Sequence, residues 1–100
     1  MGQIKRVLEQ RGEQYGPFRT HALITQNLED VTRRHLLAND EFHRLPMDVQ
    51  NTVLEGFHMV FHKMARICNG NPLHQDSYDD IVGYAQLMAD VIKETNEVPL

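Results

Sequence analysis

Lys63-Met64-Ala65-Arg66-Ile67-Cys68-Asn69-Gly70-Asn71-Pro72 followed by Leu73-His74-Gln75-Asp76-Ser77-Tyr78-Asp79-Asp80-Ile81-Val82-Gly83-Tyr84-Ala85 reads as helix, tight corner, helix. Gly70 or a neighbouring Asn would close the first helix in a left-handed cap, and Pro72 stops it from resuming. The corner brings Lys63 and Arg66 towards a group of acids. A basic pair beside acids is what a phosphate-and-metal site needs, and equally what two capped surface helices would show.

Working outward, the rest of the chain is also helical. Helices are expected over about residues 2–11, 18–38, 47–68 and 76–94. Gly12 ends the first, and Tyr15-Gly16-Pro17 is a turn signal. Residues 39–46 read as a loop, with Pro46 suited to the first turn of the following helix. Strand signals are nearly absent. The expectation is an all-α fold, a compact four-helix bundle-like domain over residues 1–100, assembled as a homodimer or higher oligomer.

The helical wheels add detail. In the second helix Thr20, Ile24, Leu28, Val31 and His35 fall on one stripe. In the third, Val53, Phe57, Val60, Phe61, Met64, Ile67 and Cys68 gather on one side, so Cys68 reads as a small core residue. Glu55, His62 and Arg66 lie opposite, with His58 at their edge and Lys63 on the flank. That polar stripe either meets solvent or lines a pocket between helices or subunits. In the fourth helix Asp79, Gln86, Asp90 and Lys93 form the wet stripe. Asp80 shares its stripe with Asp76, Gly83, Tyr84, Leu87 and Val91, so it should point partly inward and must be paired, hydrogen-bonded or metal-bound. The apolar arc of this helix is wide enough to pack on two sides.

Bulk chemistry excludes several classes. The 100 residues carry a net charge of −4, which argues against a DNA or RNA duplex as ligand. The acid excess sits in the last quarter, where Asp76, Asp79, Asp80, Asp90, Glu94 and Glu97 face Lys93 alone. One cysteine leaves no disulfide framework. No run approaches a membrane span, and the N-terminus lacks the apolar segment of a signal peptide. A cytoplasmic protein without a membrane partner is expected.

The acids carry the chemistry with most content. Asp76-Ser77-Tyr78-Asp79 and Ser77-Tyr78-Asp79-Asp80 both fit a capping box with an acid in the last place. Asp76 and Asp80 are also four apart on one face, close enough to share Mg²⁺. His58 and His62 have the spacing of two helical metal ligands but lack the Glu of a zinc-protease helix. Surface histidines, or one bonded to Glu55, are the plainer reading. Lys63 and Arg66 either complement the helix dipole or contact phosphate. Arg11 and Tyr15 could add a base or phosphate contact.

The pattern Arg11-Gly12-x-x-Tyr15-Gly16, then Lys63-x-Ala65-Arg66-Ile67-x-Asn69-Gly70-x-Pro72, then Asp76-Ser77-x-x-Asp80-Ile81-x-Gly83-Tyr84-Ala85, resembles a phage and prophage family catalogued as a domain of unknown function (DUF6378). The resemblance spans about residues 8–92. That family is distantly similar to the MazG-like all-α nucleoside triphosphate pyrophosphohydrolases, helical oligomers that use Mg²⁺ to cut between the α- and β-phosphates. The resemblance implies a nucleotide-handling protein giving a nucleoside monophosphate and pyrophosphate. Asp76 and Asp80 would hold Mg²⁺, Glu55 and Asp80 would be catalytic, and Lys63, Arg66, Arg11, Tyr15 and Tyr84 would bind substrate. The chain departs from the larger group's acid pattern. Glu55-x-x-His58 stands for Glu-x-x-Glu, and Ser77-x-x-Asp80 for Glu-x-x-Asp. The alternative is a non-catalytic helical binder that sequesters a nucleotide or a host protein during phage growth.

Overall fold

Every element of the computed structural model is a helix, and among the described residues there is no strand. It describes residues 2–97, with side chains throughout except those of residues 9–14. In chain order the helices are α1 (Gly2–Tyr15), α2 (Phe18–Leu37), α3 (Asp40–His43), α4 (Met47–Asn69) and α5 (Gln75–Glu97). The all-α expectation holds. α4 is the centre, with α2 packed on one side of it and α5 on the other.

The first break differs from the expected one. Gly12 does not stop α1, because a glycine inside a helix costs only about 1 kcal/mol. The helix ends instead at Tyr15, where Gly16 takes φ +78°. That left-handed conformation suits glycine. Asn69, at the far end of α4, fixes the corner by donating its side-chain amide to the carbonyls of Tyr15 and Pro17, at 3.0 and 2.8 Å. A Cβ on Gly16 would lie 2.0 Å from the Asn69 carbonyl oxygen. The corner therefore has room for glycine alone.

The stretch read as a loop contains the helical turn α3. Asn39 caps it by accepting from the backbone N–H groups of Glu41 and Phe42, at 2.9 and 3.2 Å. The turn places Phe42 in the core. Gln50 then ties α3 to α4 by donating to the carbonyls of His43 and Leu45.

At the other corner, Gly70 closes α4 by donating to Arg66 O, but with φ −132° and not in the expected left-handed cap. α5 begins at Gln75, so Asp76 and Ser77 lie inside the helix and the expected capping boxes do not form. The polar turn between the helices is made by Asn71, whose side chain accepts from Leu73 N–H at 3.0 Å.

The chain is elongate, where the bundle was expected to be compact. Its extents are 57 × 26 × 24 Å and its radius of gyration is 16.6 Å, against about 13 Å for a compact chain of this length. Among the described residues the buried apolar ones are Phe42, Val49, Val53, Phe61 and Ala65, and no bulky side chain is fully enclosed. Two stripe assignments change with this shape. On α2 the residues turned towards α4 are His21 and Thr25, one position along from the expected stripe, while Val31 is 51% exposed. Cys68, expected in the core, is exposed, because neither neighbour of α4 covers its side of the helix. None of the described helices is long and apolar enough to cross a membrane.

Candidate functional site

Most of the polar stripe of α4 is turned towards its neighbours: His58, His62, Lys63 and Arg66 are half-buried, while Glu55 is exposed. On the α5 side, Lys63 Nζ lies 2.9 Å from Asp80 Oδ2. The lysine side chain is only 12% exposed and the aspartate 48%. Asp80 does point partly inward and is paired. The deeper partner is the lysine, whose aliphatic stem fills the seam while its ammonium reaches the carboxylate.

One turn further along α4, the Arg66 guanidinium sits over the Tyr15 ring, 4.4 Å from its centroid. This is cation–π geometry. His74 meets the same tyrosine edge-on at 5.9 Å, and its Nε2 lies 3.9 Å from Asp76 Oδ2. Asp76 is 81% exposed, so this contact is a loose one in high dielectric.

On the α2 side a chain of histidines crosses the seam. His21 Nε2 and His62 Nδ1 are 3.0 Å apart. The His58 and His62 rings meet edge to face at 4.7 Å, and His58 Nδ1 lies 2.6 Å from Glu29 Oε1. Phe18 stacks on His21 from the solvent side. A hydrogen bond between two ring nitrogens needs one to donate and one to accept, so one imidazole must be neutral. Burial holds the pKa of His21 below its ordinary value, with the neighbouring His62 and Arg66 acting the same way. Burial also lowers that of His62, helped by His58, Arg66 and Lys63 and opposed by Glu29.

Sequence reasoning missed this chain. It singled out His58 and His62 by their spacing, but gave His21 no role and offered Glu55 as a partner. The acid that reaches His58 is Glu29. A signal was present, since His21, Thr25 and Glu29 recur at four-residue steps on α2.

Glu55 lies elsewhere. With Asn51 it borders two clefts on one broad face of the helical layer. A cleft of about 360 Å³ between α4 and α5 is lined by Glu55, Gly56, Met59, Tyr84, Leu87 and Met88, among others. A cleft of about 410 Å³ between α2 and α4 is lined by Glu29, Arg33, Asn51, Leu54, Glu55 and His58. Met88 crosses over Gly56, and a Cβ there would make the Met88 side chain shift.

Most of the expected site residues thus fall into three groups, with Asp76 apart from them beside His74. Glu55 and Tyr84 share a cleft, Lys63 and Asp80 form an ion pair, and Arg66 and Tyr15 stack. Glu55 and Lys63 are separated by two turns of α4, about 12 Å along its axis. Arg11 lies on α1, and its side chain is outside the described residues. Among the described residues no three His, Cys, Asp or Glu side chains converge to hold a metal ion. No family model, curated protein or solved structure matches this chain.

Proposed function

We propose that this chain is a non-catalytic helical binding protein whose ligand is another protein surface. One observation carries the reading: the side chains suited to chemistry are engaged with one another while large apolar side chains face outward. Lys63 is held by Asp80, Arg66 by Tyr15, His62 by His21 and His58 by Glu29. Meanwhile Leu23, Val31, Val82 and Leu87 are each more than half exposed. Exposed apolar surface of this kind favours protein contact.

The Mg²⁺ chemistry implied by the resemblance does not fit one protomer. Asp80 is neutralised by Lys63, Asp76 is turned to solvent beside His74, and Glu55 is two helical turns away.

A second reading, a nucleotide-handling protein of the pyrophosphohydrolase type, draws on a different observation. Arg66 on the Tyr15 ring lies one turn from Lys63, so basic and aromatic groups for phosphate and base stand near one corner. Incubation with a panel of ribo- and deoxyribonucleoside triphosphates and Mg²⁺ separates the two. The binding reading expects no monophosphate or pyrophosphate above background, from wild type or from Asp80→Ala alike. Turnover abolished by Asp80→Ala would replace it with the hydrolase.

A further inference from the structure

The cleft between α4 and α5 is apolar within and acidic at its edges. Met59 and Met88 line it half-buried, and Leu87 lines it 60% exposed. The two helices run antiparallel, since Gly56 meets Met88 and Lys63 meets Asp80. The cleft is therefore a straight trough, about 360 Å³ in volume. At about 100° per residue, Glu94 lies within about 20° of Leu87 on α5, and Asp48 within about 20° of Glu55 on α4. All three acids are exposed. Among the described residues none of them is within ion-pair distance of a cation. Residues 47–62 of α4 hold no Lys or Arg, and residues 84–97 of α5 hold only Lys93. Lys93 is turned about 120° away from Leu87 around the helix. Arg33 of α2 borders the neighbouring cleft, beyond Glu55.

We infer that this trough takes a basic amphipathic helix of a partner protein. Its apolar side chains seat on Met59, Leu87 and Met88, and its Lys or Arg side chains face Glu55 and Glu94. This rests on the proposed reading as a binding protein and names the site and the chemistry of the partner. A trough between two antiparallel helices is the shape that a third helix fills, with apolar anchors one turn apart. Methionine suits such a site, because its unbranched, polarizable side chain adapts to the anchor it meets. Unpaired acids on both edges attract a cationic partner and repel an acidic helix or a nucleotide.

Fluorescence anisotropy of a labelled amphipathic peptide of Leu and Lys, about four turns long, titrated with the full chain tests it. The same peptide with Glu in place of Lys is the control. Saturable binding of the Lys peptide is expected, at least about tenfold tighter than that of the Glu peptide and weaker as salt rises. Leu87→Gln, and Glu55→Lys combined with Glu94→Lys, should each weaken it by at least about tenfold. All three positions are exposed, so the fold should survive the changes. Val82→Gln, on the far side of α5 and 67% exposed, should bind as wild type does. No saturable binding up to about 1 mM, equal binding of the Glu peptide, or binding indifferent to both cleft variants overturns the inference. Nucleotide turnover by a chain that binds the Lys peptide in the trough would sink the non-catalytic reading and leave the trough standing. Neither turnover nor peptide binding would do the reverse.

Discussion

The two seams of α4 are built differently. Against α5 the contact is mostly apolar, with Gly56 under Met88 and a single ion pair, Lys63–Asp80. Against α2 it is crossed by His21, His62, His58 and Glu29. The first seam is held mainly by burial. The second depends on which imidazoles are neutral. One helix can therefore present the same polar stripe to two partners and be held by different physics on each side.

The largest expected effect breaks what the seams have in common. Phe61 is buried on α4 and stacks with Phe57. Phe61→Ala should cost about 3–5 kcal/mol, read as a fall in the denaturation midpoint with unchanged slope. Next comes the corner from which α1 departs. Gly16→Ala should cost about 2 kcal/mol, from the left-handed backbone and the clash with the Asn69 carbonyl. An Asn69→Ala background should relieve only part of it, because the clash is with backbone.

The pH dependence sharpens the contrast. His21 and His62 have folded-state pKa values below that of a free imidazole. Protons therefore bind the unfolded chain more readily, and the stability these groups confer is present above about pH 6.5 and is lost as pH falls through the lowered folded pKa. Glu29, which favours a charged His62, and Arg66 and Lys63, which oppose it, face the same groups. Tm should fall between neutral pH and pH 5, and His21→Gln with His62→Gln should flatten that fall. The smallest effect belongs to the other seam. Lys63→Met keeps most of the buried stem and releases Asp80, which is half exposed and returns to water. The change should stay under about 1 kcal/mol, whereas Lys63→Ala should exceed it by emptying the seam.

The same contrast explains what the sequence could disclose. Asp80 shares a stripe with Tyr84 and Val91, and this was enough to expect an inward carboxylate that is paired, hydrogen-bonded or metal-bound, with Lys63 within reach. The period of α5 and the short corner fix that geometry between them. The pairing of His21 with His62, and of Glu29 with His58, depends on the axial register of α2 against α4. Periodicity does not set that register, because sliding one helix by a turn leaves each stripe unchanged. α3 is too short to have a period, and its only signal is Asn39 before Asp40 and Glu41. Cys68 was misplaced because a wheel gives the apolar sides of a helix without saying which of them has a neighbour.

The central claim is that the basic and acidic side chains near the α4–α5 corner hold helices together and do not hold a ligand. Backbone amide NMR of the full chain during titration with a deoxyribonucleoside triphosphate and Mg²⁺ tests it most directly. The account predicts no saturable shifts at Lys63, Arg66 and Asp80. Shifts that saturate together at those three residues, with Tyr15 and Tyr84 among the perturbed signals, would contradict it.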